Sequence, residues 1–205
     1  MSKAVREQII HRLAHTRLPV DPVADAQQSI PNRTLKTWFR LPLRTAGVLV
    51  PLVDRPAGLH MLFTERRHDL PDHPGEISFP GGRAEDGDAD LRMTALREAD
   101  EEIGLSSELT ETVGFLPAQA VITGFAVVPV VAFVDDAFQA RPDQREVASV
   151  FEVPLEFLLD SNHGRRDDRE RDGVLLETWE YIWEGHRIWG ATGHMVRQFV
   201  RALDN

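Results

Sequence analysis

The chain contains no cysteine, which excludes disulfide staples and a thiol nucleophile. Long apolar runs are missing as well. The longest, Phe125 to Val134, is interrupted by Pro129 and falls far short of the roughly 20 residues that a membrane-spanning helix needs. The first fifteen residues, MSKAVREQIIHRLAH, lack the continuous apolar core of a secretory signal. Positive charge is in deficit, with 23 Lys and Arg against 33 Asp and Glu for a formal net charge of -10. Such a chain repels phosphodiester polymers, so neither nucleic acid nor membrane is expected as a partner. A soluble, cytoplasmic protein is the default. An anionic small-molecule substrate would need the field reversed locally, and a bound divalent cation does that.

What is present suits one domain. A chain of 205 residues, 42% hydrophobic and 27% charged, can bury an adequate core. Val5, Ile9, Ile10 and Leu13 fall at helical spacing, which predicts an amphipathic N-terminal helix. About 25 residues rich in Pro, Asp, Gln and Asn follow and read as a loop-like tether. Residues 1–40 are therefore expected to be a helix and linker, and residues 41–205 the main domain. Thr45–Val53 and His60–Arg66 read as strands joined through Asp-Arg-Pro-Ala-Gly. Pro71–Gly87 reads as loop apart from a short strand at Glu76–Phe79. Leu91–Ile103 is expected to be helical, with Asp88 or Asp90 as cap and Gly104 as stop. Strands are expected near Glu111–Phe115, Phe125–Val134 and Glu146–Val153, then a short helix at Leu155–Leu159. Ser161–Gly173 reads as a charged, mobile loop. Val174–Trp183 and Arg187–Trp189 suggest a hairpin turning at Glu184-Gly185, and Ala191–Leu203 a closing helix. The fold class is α/β (α+β), a mixed sheet covered on both faces by helices.

The most informative run is Arg97-Glu98-Ala99-Asp100-Glu101-Glu102-Ile103-Gly104. At roughly 100° of rotation per residue, Glu98, Glu101 and Glu102 share an arc of about 100°. Leu96, Ala99 and Ile103 occupy a different arc, the one suited to packing on a sheet. Three carboxylates on one rigid face suit hard divalent cations, which prefer oxygen ligands. A solvated acidic face with an ordinary Arg97–Glu101 pair is the bland alternative. Directly upstream lies Phe79-Pro80-Gly81-Gly82, whose adjacent glycines let backbone approach a ligand closely.

A glycine turn, an acidic loop and a tri-carboxylate helix together resemble the signature of the Nudix hydrolase family. Arg97 to Leu105 (READEEIGL) matches its second half. The first half departs from it, because one extra residue lies between the acidic position, Asp88, and Arg97. The resemblance implies an α/β/α sandwich of Nudix type and hydrolysis of a nucleotide's diphosphate bond. By it, Glu98, Glu101 and Glu102 are metal ligands for Mg²⁺ or Mn²⁺, and Arg97 belongs to the catalytic set. Glu98 and Glu146 are the two candidates for taking the proton of the attacking water.

A further likeness is to the Nudix enzymes that act on coenzyme A. In Leu62 to Gly82 (LFTERRHDLPDHPGEISFPGG), the positions Leu62, Thr64, Arg66, Gly75, Phe79, Pro80, Gly81 and Gly82 match their motif. Phe63 is a mild change, whereas Arg67 replaces a small residue and Pro71 an arginine. This likeness implies coenzyme A or an acyl derivative as substrate, with Arg66, Arg67, Phe79, Gly81 and Gly82 on the substrate side. ADP-ribose, NADH or a dinucleotide is the nearest rival substrate. A non-catalytic nucleotide sensor is the rival from another class, disfavoured because all three helix carboxylates are present. His11 and His15 lack a third zinc ligand. His68 and His73 read as ordinary loop residues, and Trp179, Trp183 and Trp189 as core or interface aromatics. A homodimer is left open.

Overall fold

The computed structural model describes residues 2–28 and 30–204. Its first helices are α1 (Ser2–Leu13), α2 (Pro22–Gln28) and α3 (Asn32–Trp38). An eight-stranded mixed sheet follows, made of β1 (Arg44–Arg55), β2 (Gly58–Arg66), β3 (Ile77–Ser78), β4 (Gly81–Arg83), β5 (Thr110–Phe115), β6 (Gln119–Val121), β7 (Phe125–Val134) and β8 (Val147–Pro154). Helix α4 (Leu91–Ile103) lies between β4 and β5 in the chain, and α5 (Leu155–Leu159) follows β8. The chain ends with the short strands β9 (Arg165–Arg166), β10 (Arg169–Arg171), β11 (Val174–Leu176), β12 (Trp179–Trp183) and β13 (His186–Ile188), then α6 (Gly190–Asp204).

Strand β1 is the middle of the sheet. It runs parallel to β7 from Arg44↔Phe125 to Val53↔Val134, and antiparallel to β2 and β4. A central strand buried on both faces needs apolar residues on both, and residues 46–53 of β1 are buried throughout. The two faces feed separate cores. Leu49, Val53, Leu62, Val130 and Val134 pack on Ala95, Leu96, Ala99 and Ile103 of α4. Val50, Leu52, Met61, Phe63 and Val131 pack with Ile9 and Leu13 of α1 and Val196, Phe199 and Val200 of α6. The expected mixed sheet between helical layers is what the chain forms.

Three expectations are corrected. Residues 14–40 are not a loop-like tether, because they contain α2 and α3. Ala26, Leu35, Phe39 and Leu43 cover Ala118, Ala120, Ala126 and Val128, and the Asp25 carboxylate accepts the Ala118 N–H at 2.9 Å. Seven-residue helices have no stability of their own and form through burial, so composition hides them. Helix α1 is likewise docked, with Gln8 Nε2 donating to the Leu203 carbonyl at 3.0 Å. Helices α1, α2 and α3 thus share the core of the main domain.

The segment 161–173 is built into small sheets, where β9 pairs β12 and β10 pairs β11. Three of its four arginines are in ion pairs: Arg165 with Glu180 at 2.7 Å, Arg166 with Asp168 at 2.6 Å and Arg169 with Asp167 at 2.7 Å. The stretch expected as loop after Phe79 also contains a strand, since Gly82 of β4 pairs Gly47 of β1. Among the described residues no helix is long and apolar enough to cross a membrane.

Candidate active site

Helix α4 begins where its sequence places it. The Asp90 carboxylate accepts the Met93 N–H at 2.8 Å, and Gly104 ends the helix at φ 68°, in the left-handed region. Asp88 is therefore free of the capping role. Its carboxylate instead accepts from Arg97 Nε and Nη2, both at 3.0 Å, and from Thr94 Oγ1 at 2.9 Å. The Arg97 guanidinium holds the Asp88 carboxyl well below the usual range, and the Glu85 N–H and Thr94 hydroxyl add to this. The extra residue before Arg97 is absorbed in the 84–90 loop, and Asp88 still reaches the arginine.

Arg97 faces the other way as well. Its Nη1 donates to Glu98 Oε1 at 3.0 Å and to Glu101 Oε2 at 3.2 Å, and its Nη2 donates to the Arg83 carbonyl at 3.2 Å. A planar fork anchored by Asp88 on one edge orients two carboxylates on the other. Glu102 points inward from the same helix and is only 8% exposed. Its Oε2 accepts the Gly81 N–H at 3.2 Å. Burial pushes the Glu102 carboxyl up to about 8, with the charges of Glu98 and Glu146 adding to the push and Arg66 opposing it. Burial also raises Glu98, against the pull of Arg97. The glycine turn is fitted to this surface, because a Cβ on Gly82 would lie 2.5 Å from Glu98 Oε1.

Among the described residues no three carboxylates or imidazoles are gathered into a ready-made metal cage. Arg97 occupies Glu98 and Glu101 instead. The donor chemistry nevertheless fits a hard divalent cation: the groups are carboxylate oxygens, two of them are partly desolvated, and their mutual repulsion is what such an ion relieves.

Glu146 arrives from a distant part of the chain. The 141–146 turn is pinned to the end of α4, with Arg141 N–H donating to the Ile103 carbonyl and Asp143 N–H to the Glu102 carbonyl, both at 2.8 Å. The exposed Glu146 is close enough for its charge to act on both Glu98 and Glu102. No hydrogen bond or ion pair on its carboxylate is found among the described residues. Arg66, at the end of β2, is close enough to Glu102 to oppose its protonation, and its Nε is buried without a hydrogen-bond partner.

The other sequence candidates separate. Arg67 is engaged with Asp69 at 2.6 Å and with the Gln144 carbonyl at 2.7 Å. Phe79 is 2% exposed and stacks on Phe63 with ring centroids 4.9 Å apart, so its ring is core and shapes the turn from below. His68 meets Glu65 of β2 at 3.2 Å, and His73 meets Glu76 at 2.6 Å within their own loop. The Trp189 ring meets the guanidinium groups of Arg169 and Arg187, and the Trp179 ring that of Arg197. A surface depression of about 490 Å³ is lined by Arg6, Asp54, Arg55 and Glu111, at the opposite end of β1 from the glycine turn. Sequence reasoning missed Asp143 and Gln144, whose backbone carries the turn; only an Asx-type turn at Asp143 signals them.

Comparison with known proteins adds a family. A NUDIX domain model matches residues 43–179. The uncharacterized Nudix hydrolase NudL of Salmonella dublin is 36% identical over 186 residues, covering 90% of this chain and 95% of its own. The protein of the same name from Enterobacter sp. (strain 638) is 37% identical over 157 residues, covering 77% and 81%. A solved MutT/nudix family protein from Enterococcus faecalis is similar across 100% of this chain and 76% of its own, with a TM-score of 0.50 and 14% identity, a likeness of fold.

Proposed function

The chain belongs to the Nudix hydrolase family, and from that premise we propose that the nucleoside diphosphate derivative it hydrolyses is coenzyme A or an acyl-coenzyme A. The products are adenosine 3′,5′-bisphosphate and 4′-phosphopantetheine or its acyl form. The observation that carries this reading is Arg66. It lies within the Leu62–Gly82 stretch that resembles the coenzyme A motif. It is near enough for its charge to act on the Glu102 carboxylate, and its buried Nε has no hydrogen-bond partner among the described residues. An arginine with a desolvated, unused donor is suited to a phosphate oxygen.

Glu98, Glu101 and Glu102 would hold Mg²⁺ or Mn²⁺. Bound there, the cation supplies charge neutralisation for the diphosphate, Lewis-acid polarisation and a water of lowered pKa. The protein's own residues do the rest. Arg97, braced by Asp88, keeps Glu98 and Glu101 facing the same way. Gly81 and Gly82 let the β4 backbone lie against α4. Glu146, whose carboxylate has no hydrogen bond or ion pair among the described residues, takes the proton as a water oxygen bonds to one phosphorus and the bridging oxygen departs with the other.

The purified protein incubated with coenzyme A and Mg²⁺ or Mn²⁺ is expected to release adenosine 3′,5′-bisphosphate, read by chromatography and mass. Dephospho-coenzyme A, lacking the 3′-phosphate, is expected to show a KM about tenfold higher, equivalent to about 1.4 kcal/mol. Cleavage of ADP-ribose or a dinucleotide without turnover of coenzyme A would retain the family chemistry and reject this substrate.

Gly82→Ala is a second expected result. The added Cβ must displace the Glu98 carboxylate, so kcat is expected to fall about 10- to 100-fold, as small misplacements at a reacting centre do. Unchanged steady-state kinetics would show that Glu98 can leave that position freely.

A further inference from the structure

We infer that Arg67 is a positioning residue that clips Glu146 against the carboxylates of α4, and not a ligand of the substrate's phosphates. The inference rests on Glu146 being the group that takes the proton. The bonds of Arg67 point to the turn that carries Glu146. Its backbone N–H donates to the Glu146 carbonyl at 2.9 Å. Its Nη1 donates to the Gln144 carbonyl at 2.7 Å. Its Nε and Nη2 fork onto the two oxygens of Asp69 at 2.7 and 2.6 Å. The fork on Asp69 fixes the plane of the guanidinium and leaves Nη1 aimed at the turn. A guanidinium so engaged has no free edge for a bidentate phosphate, unlike that of Arg66.

The turn has a second anchor of its own. Glu146 N–H and Val147 N–H both donate to the Asp143 carbonyl, at 3.0 and 2.9 Å, and Asp143 N–H donates to the Glu102 carbonyl. Residues 143–146 are thus held from one side by the end of α4 and from the other by Arg67. The pairing of β2 with β8 shifts register between Glu65 and Arg66, and Arg66 comes opposite Val147. Such a bulge re-aims the strand end, bringing Arg67 directly under the turn. Without the Arg67 side chain the turn keeps the backbone bond from the Arg67 N–H to the Glu146 carbonyl but loses the hold on the Gln144 carbonyl. The Arg67 side chain is 41% exposed and that of Asp69 65%, so the pair adds little to stability. Its effect lies in where it holds the backbone.

The test compares Arg67→Ala, Arg67→Lys, Glu146→Gln and the double variant Arg67→Ala/Glu146→Gln on whichever of coenzyme A and ADP-ribose is turned over. Arg67→Ala is expected to lower kcat about 10- to 100-fold with KM within about twofold. Arg67→Lys, which keeps one donor for the Gln144 carbonyl, is expected to recover part of the loss. Amide exchange at Glu146 and Val147 is expected to quicken in Arg67→Ala while the thermal midpoint holds. In the double variant the arginine change should add nothing to the loss from Glu146→Gln, since both act through one group. A raised KM with intact kcat, or losses that multiply in the double variant, would overturn the inference. Full activity in Glu146→Gln would instead overturn the reading of Glu146 as the base, and the inference with it. An unimpaired Arg67→Ala beside a crippled Glu146→Gln would overturn only the role of Arg67.

Discussion

Glu102→Gln is expected to lower kcat by about a thousandfold or more while raising the thermal midpoint of the metal-free protein. The loss follows from removing a charged ligand oxygen at a site whose chemistry depends on concentrated charge. The gain in stability follows from the same residue's surroundings. Glu102 is only 8% exposed, and burial pushes its carboxyl up from an ordinary value of 4.5 to about 8.

A carboxyl whose folded value lies above its unfolded value binds its proton more tightly in the native state. Its contribution to stability is therefore complete below about pH 4.5 and is lost as pH rises through about 8. Every tenfold gain in proton affinity on folding is worth about 1.4 kcal/mol, so the wild-type protein in a chelator should lose on the order of a few kcal/mol across that window. Glutamine carries no proton to lose, so the slope should vanish in the variant. Mg²⁺ or Mn²⁺ should raise the wild-type midpoint and leave that of the variant nearly unmoved. Thermal melts from pH 5 to 9, with and without metal, measure both effects. A variant less stable than wild type at pH 8 in chelator would contradict the account of Glu102 as a desolvated carboxylate.

Arg97→Ala is the second large effect. It removes the counter-charge of Asp88, whose side chain is only 8% exposed, together with the donors to Glu98 Oε1, Glu101 Oε2 and the Arg83 carbonyl. Stranding a mostly buried carboxylate costs about 2–4 kcal/mol. Asp88 is held below its ordinary value of 3.8 by Arg97, so the stabilisation is present above about pH 4 and is lost only as pH falls through the depressed value. Arg97→Ala should therefore be least harmful in acid and most harmful at neutral pH. Catalysis should fall about 100-fold or more, because Glu98 and Glu101 lose the group that aligns them. Kinetics at pH 7, and melts from pH 7 down to about pH 2, where the native Asp88 begins to take up its proton, test this. An Arg97→Ala protein with near-normal kcat would show that α4 aligns its carboxylates without the arginine.

Helix α4 was legible to the residue, because what defines it is local. An Asp cap, a 3.6-residue apolar period and a glycine able to take φ 68° need no distant partner, and the arc shared by Glu98, Glu101 and Glu102 follows from helical rotation alone. The long strands β1, β2, β7 and β8 were legible for a similar reason, as apolar runs bounded by turns. Arg66, in the motif before the glycine turn, was also marked by its residue type and spacing.

Tertiary structure alone decided the rest. The part played by Asp88, which does not cap the helix, was decided by Arg97 reaching back across the loop to it. The β1–β7 pairing joins residues about eighty positions apart, and no local pattern encodes which strands meet or in which direction. Strand β4 and helices α2 and α3 take their form from what they pack on, so their glycine-rich or polar compositions read as loop. Phe79, Arg66 and Arg67 share one motif, yet burial takes Phe79 into the core. Arg66 keeps a buried Nε with no partner among the described residues, while Asp69 and the Gln144 carbonyl claim Arg67. Residue type sets what each side chain can bond to; the folded backbone sets which partner it finds.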